Sequence, residues 1–70
     1  PKLTAREVEV LELLAAGEKT CAIADRLTLS QHTVRNHVRN LLAKIGAHSK
    51  LEAVVIAAGK GIVQMPGRQH

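Results

Sequence analysis

Aromatic side chains are absent: this 70-residue chain has no Phe, Tyr or Trp. That removes the stacking platforms on which single-stranded nucleic acid is read, and the aromatic cages that hold quaternary cations. Cysteine occurs once, at Cys21. One thiol makes neither an internal disulfide nor a cysteine-based zinc site, and nothing points to secretion. No apolar run approaches the roughly 20 residues that cross a bilayer. The opening stretch, residues 1–14, alternates charged with apolar side chains and does not read as a signal peptide. We therefore expect no membrane partner and a cytoplasmic setting. The mass of 7.5 kDa allows one small domain over residues 1–70, with a core too modest for a deep substrate pocket. Because the chain opens on Pro, the expectation is a fragment of something longer.

What is present is ordinary globular composition, 46% hydrophobic and 23% charged, with a mean hydropathy of +0.02. Disordered and collagen-like chains are thereby excluded. Ten Lys and Arg against six Asp and Glu leave a net charge of +4, a mild sign of a polyanionic partner. The distribution is more telling than the total. Glu7, Glu9 and Glu12 fall in the first segment, and no acid occurs between Arg26 and Leu51. Arg26, Arg35, Arg39, Lys44 and Lys50 carry the middle of the chain. The bland reading of that run is a solvated basic surface.

Hydrophobic spacing and capping residues divide the chain into four helices, an all-α fold. The first is expected at about 5–16. Thr4 and Glu7 form a capping box, Val10, Leu11 and Leu14 face inward, and Gly17 ends the helix. A short second helix at about 20–27 puts Ile23, Ala24 and Leu27 on one stripe, with Cys21 as a small space-filling thiol. Residues 28–30 leave room only for a tight turn, and Ser30 is a strong N-cap for the third helix, about 31–45. There Val34, His37, Val38, Leu41, Leu42 and Ile45 make an apolar stripe of about 140°. His32, Arg35, Asn36, Arg39 and Ala43 occupy the opposite side. Ser49 and Glu52 read as a second capping box, opening a fourth helix at about 50–58 that Gly59 and Gly61 end. Residues 64–70 read as a frayed tail, leaving a core of about 3–63.

Two helices joined by a three-residue turn, the second presenting basic and amide side chains outward, describe a helix-turn-helix. The major groove of B-DNA admits one α-helix, and its base edges are read best by Arg against guanine and Asn against adenine. Arg35, Asn36 and Arg39 are spaced to enter one groove together, with His32 on the same face. The positive end of the helix, near Ser30 and Thr33, suits a phosphate. The competing reading is an amphipathic helix with solvated arginines.

The order of residues resembles a known family. Leu3-Thr4-x-Arg6-Glu7-x-Glu9-Val10-Leu11, Leu14-x-x-Gly17, Ile23-Ala24-x-x-Leu27-x-Leu29-Ser30, Thr33-Val34-Arg35-x-His37-Val38, Lys44-Ile45-Gly46 and Glu52-Ala53-Val54 together look like the LuxR-type DNA-binding domain of the NarL/GerE group. The resemblance covers about residues 3–63. It implies a four-helix domain whose third helix enters the major groove of double-stranded DNA. It also implies an upstream receiver or sensor domain, as in two-component regulators, and a homodimer formed through the last helix. It places Arg35 at a basic base- or phosphate-contacting position, and Asn36 and Arg39 at further groove contacts. Thr33 matches a phosphate-contacting hydroxyl and Lys44 a lysine near the backbone. His37 matches the family histidine, although its place on the apolar stripe makes it core packing first. The chain departs from the pattern where helix 2 opens. Lys19 stands in place of the usual Ser or Thr, with Thr20 next, and Cys21 and Ala22 replace a basic residue and a glutamate. Lys19 and Thr20 are the candidate phosphate contacts of that turn.

On the fourth helix, Leu51, Val54 and Ala58 are expected to complete the core. Val55 and Ile56, beside Glu52 and Lys60, are left as the self-association surface. Two rival readings remain: a sigma-factor region, which shares the opening motif and the helix-turn-helix, and a protein-interaction module with a degenerate groove surface. No cofactor, metal or catalytic residue is expected. His32, His37 and His48 lack nearby carboxylate partners in the sequence, and His32 and His37 point to opposite faces.

Overall fold

The structure, a computed structural model, describes residues 2–63. Four helices follow one another: α1 Ala5–Ala15, α2 Thr20–Leu27, α3 Gln31–Ile45 and α4 Lys50–Gly59. Among the described residues there is no strand. The frayed tail expected at 64–70 lies outside the described residues.

Local chemistry sets most boundaries. Thr4 Oγ1 accepts from the Glu7 amide at 3.1 Å and Glu7 Oε1 accepts from the Thr4 amide at 2.9 Å. That reciprocal pair satisfies two of the donors a helix start leaves open. Ala16 is the C-cap of α1, and Gly17 takes the left-handed conformation, φ +88°. α2 is ended differently. Thr28, at φ 58° and ψ 47°, adopts the left-handed region in the turn before α3, the one described non-glycine residue with positive φ. For a β-branched side chain that geometry is strained.

α3 is the central element, with α1, α2 and α4 all packed against it. Its inner stripe buries Val34, Val38 and Leu41, while His37, Leu42 and Ile45 are half-buried at the flanks. Val10 and Leu11 of α1, Ile23 and Ala24 of α2, and Ala53, Val54 and Ala57 of α4 close around it. Leu14 and Leu27 are partly buried at the edge of this cluster.

Three sequence expectations are corrected. Leu51 is 71% exposed and is not in the core. The buried stripe of α4 is Ala53, Val54 and Ala57, with both alanines fully buried. That stripe turns Leu51 and Val55, four residues apart, to the outside together. Ala58 is partly buried. Cys21 is exposed rather than space-filling, because it lies about 200° around α2 from Ile23. The second capping box is incomplete. Ser49 Oγ accepts from the Glu52 amide at 3.0 Å, but the Glu52 carboxylate turns to the His48 amide instead of that of Ser49. Gly59 closes α4 as its last residue, and Gly61, at φ +76°, makes the turn beyond.

Candidate nucleic-acid interface

The first three turns of α3 project their polar face away from the core. Its start is organised by Ser30, whose Oγ accepts from the Thr33 amide at 3.0 Å and donates to Thr33 Oγ1 at 2.9 Å. A capped helix start of this kind concentrates partial positive charge where a phosphate oxygen can be held. Arg35 and Arg39 are exposed, as is His32, and Asn36 is half-exposed. Two of these side chains are steadied from one turn earlier. Arg35 Nη2 donates to Gln31 Oε1 at 3.3 Å, and Asn36 Nδ2 lies 3.4 Å from His32 Nε2. Asn40 is exposed on the same face, about 40° from Asn36. Sequence reasoning passed over it, although the helical period that selected Asn36 also selects Asn40.

The basic middle of the chain is less uniform than its sequence suggests. Arg26 is paired with Glu18 at 3.1 Å. Lys44, expected at a DNA phosphate, donates its ammonium to Glu7 Oε1 at 2.8 Å. Glu7 is 3% exposed and so is a buried carboxylate with a charged partner. The Lys44 hydrogen bond holds its pKa below the ordinary value of 4.5, helped by the Thr4 amide and the nearby charge of His37, against the raising effect of burial. Lys44 therefore ties the last turn of α3 to the first turn of α1. Arg35 and Arg39 have no carboxylate partner among the described residues. The free positive charge of α3 is thus concentrated on its outward face.

Next to α3, the start of α2 carries Lys19 as N-cap with no side-chain cap of its own. Thr20 Oγ1 accepts from Lys50 Nζ at 3.5 Å, so α4 delivers a further cation to that turn. The sequence gives no sign of this, since the two residues are 30 positions apart. His37 is half-buried on the inner flank of α3, the side expected for packing. His48 does have a carboxylate partner, Glu52, at 3.3 Å, contrary to expectation. The pair is exposed, and the hydrogen bond from the His48 backbone holds the Glu52 pKa low. Among the described residues no three His, Cys, Asp or Glu side chains converge as a metal site. No helix of the described residues is long and apolar enough to cross a membrane.

The family model described as "Bacterial regulatory proteins, luxR family" matches residues 1–57, most of the chain. The chain belongs to that family. Among its relatives is the spore germination protein GerE of Bacillus subtilis, 47% identical over 79% of this chain and 74% of that protein. The transcriptional regulatory protein YdfI of the same organism is 45% identical over 89% of this chain and 29% of YdfI. The solved structure of the transcription factor GerE superposes with a TM-score of 0.85, covering 90% of this chain and 94% of that one at 33% identity. That superposition takes in more of this chain than the sequence match to GerE, and its identity is lower. VqmA of Vibrio cholerae, in a complex with ligand and DNA, superposes at a TM-score of 0.82 and 43% identity, over 87% of this chain and 27% of that one. The chain spans under a third of the length of regulators such as YdfI. Its fold is that of the luxR-type DNA-binding domain, and it is a regulatory domain and not an enzyme.

Proposed function

We propose that this luxR-type domain reads double-stranded operator DNA by laying α3 in the major groove, with two copies filling two half-sites. The observation that supports this most is the outward face of α3. Arg35 and Arg39, with no carboxylate partner among the described residues, share the exposed side of one helix with the amides of Asn36 and Asn40. Arg35, Asn36, Arg39 and His32 contact base edges, where bidentate Arg–guanine and Asn–adenine pairs discriminate best. Ser30, Thr33, Lys19 and Thr20 meet phosphates on either side, joined by Lys50. Lys44 is engaged with Glu7, and its part is to fix the angle of α3 rather than to neutralise a phosphate.

The domain works in the cytoplasm behind a receiver or sensor domain of a longer regulator. The length of relatives such as YdfI, more than three times this span, supports that reading. Self-association uses the outer face of α4. Val55 and Glu52 are exposed there, but Leu51 takes the place first given to Ile56, which is half-buried. The apolar patch is small, so the dimer is weak off DNA and is strengthened by paired half-sites. Leu51→Lys with Val55→Glu leaves a folded monomer that fills two half-sites independently. Cooperative filling by that variant would remove α4 from the interface.

Fluorescence anisotropy on duplex DNA over a salt series tests the main reading. Affinity falls linearly on logarithmic axes as phosphate contacts release counterions. A preferred duplex bound no better than random duplex would leave only a basic surface.

A further inference from the structure

A second surface lies away from the groove-reading face. The last turn of α3, the first turns of α1 and the segment after α4 enclose an open groove of about 370 Å³. Its floor is aliphatic, made by Leu3, Val8, Ile45 and Ile62. Its rim carries Lys2, Lys44 and Lys60, and no acidic side chain lines it. Ile45 lies ten residues beyond Arg35, about 15 Å along the helix axis. A molecule seated in this groove leaves the outward face of α3 accessible.

We propose that this groove docks an acidic, aliphatic segment of a partner protein, such as one face of a short amphipathic helix carrying leucines flanked by glutamates or aspartates. The floor and the rim make separate demands. An aliphatic floor takes apolar side chains out of water, which a nucleic-acid backbone does not supply. The volume lies at the low end of the roughly 300–1,000 Å³ of small-ligand clefts, which leaves room for side-chain anchors. Rim lysines with no opposing carboxylate in the groove select against basic segments and steer acidic ones. Lys44 contributes through its alkyl stem, since its ammonium is held by Glu7. Lys2 and Lys60 are exposed, and neither takes part in an ion pair among the described residues. A helix laid into such a groove follows an established mode of recognition, with anchors spaced by one turn. The inference does not depend on which DNA sequence the domain reads.

The test is a titration of the isotope-labelled 70-residue chain, followed by amide chemical shifts. The probes are a short synthetic helix carrying leucines and glutamates, its counterpart with lysines for glutamates, and a random-sequence DNA duplex. Saturable shifts are expected at Val8, Ile45, Lys60 and Ile62 with the acidic peptide and none there with the basic one. Lys60→Glu, at an exposed position, is expected to weaken the acidic peptide by about tenfold and to gain affinity for the basic one, with an unchanged thermal melt confirming the fold. Equal response to both peptides, or no saturable response in the groove, overturns the proposal. So does competition for the same residues by the duplex, which would make the groove a phosphate-contacting surface.

Discussion

The first three turns of α3 and its last turn carry similar basic residues and put them to different uses. In the first three turns, Arg35 and Arg39 project into solvent, and among the described residues their side chains hydrogen-bond within α3 or not at all. In the last turn Lys44, also basic and five residues beyond Arg39, is drawn inward onto the buried carboxylate of Glu7. The angular position of each side chain decides the outcome. Arg39 points opposite the apolar stripe, whereas Lys44 lies at its margin, within reach of α1. On the proposed reading, one basic helix carries both a surface that reads DNA and a clamp that holds that surface in place. A positive charge in a sequence is informative about DNA only after the acids elsewhere in the fold have been assigned.

The largest expected effect falls on the outward-facing arginines. Arg35→Ala and Arg39→Ala each weaken binding to the preferred duplex by about 1–3 kcal/mol if their contacts are bidentate to a base. Neither change alters the melting temperature appreciably, since both side chains are exposed. A calorimetric scan beside an anisotropy titration separates the two quantities. Loss of fold together with loss of binding would place these arginines in the clamp.

The clamp behaves in the opposite way. Lys44→Ala lowers stability by about 2 kcal/mol, less than the roughly 3–5 kcal/mol of a fully buried pair because water reaches the lysine. The folded variant keeps its operator affinity. Acid titration sharpens the point. The folded-state pKa of Glu7 is depressed, so its contribution is complete above the ordinary value of 4.5 and is lost as pH falls through the lower folded value. Denaturant midpoints measured down that range should fall less steeply in Glu7→Gln than in the parent chain. An equal acid sensitivity in both would show that the pair does not support the fold.

A smaller effect is expected at the turn between α2 and α3. Thr28 holds a left-handed backbone at the junction that sets the angle of α3. Thr28→Asn relieves strain at a residue type that tolerates this region and should raise stability by about 1 kcal/mol. An unchanged or lower unfolding midpoint would contradict the strain. A gain in stability with no change in DNA affinity would confine its effect to the fold.

Elements governed by near neighbours in the chain were readable in advance. Thr4 with Glu7, Ser30 with Thr33, and the apolar period of α3 each act within a few residues. From them came four helices, their order and the outward face of α3. Features created by distant encounters were not readable. Glu7 and Lys44 are 37 positions apart, and Thr20 and Lys50 are 30 apart. No local pattern announces either pair. Leu51 misled for another reason: larger apolar residues were preferred for the core, while the inward positions of α4 are filled by the alanines at 53 and 57. Cys21 was assigned by residue type, and the helical phase of α2 overrules that. Glu52 satisfied a capping pattern by spacing, yet its carboxylate has a choice of two amides and takes that of His48.

The claim that the first three turns of α3 read DNA while its last turn only holds it is best tested by selection of bound duplexes from a random pool. The parent chain, Arg39→Ala and Lys44→Ala are to be compared at one salt concentration. One enriched motif is expected for the parent chain, retained by Lys44→Ala and degraded at a defined base position by Arg39→Ala. A motif unchanged by Arg39→Ala but altered by Lys44→Ala would contradict it.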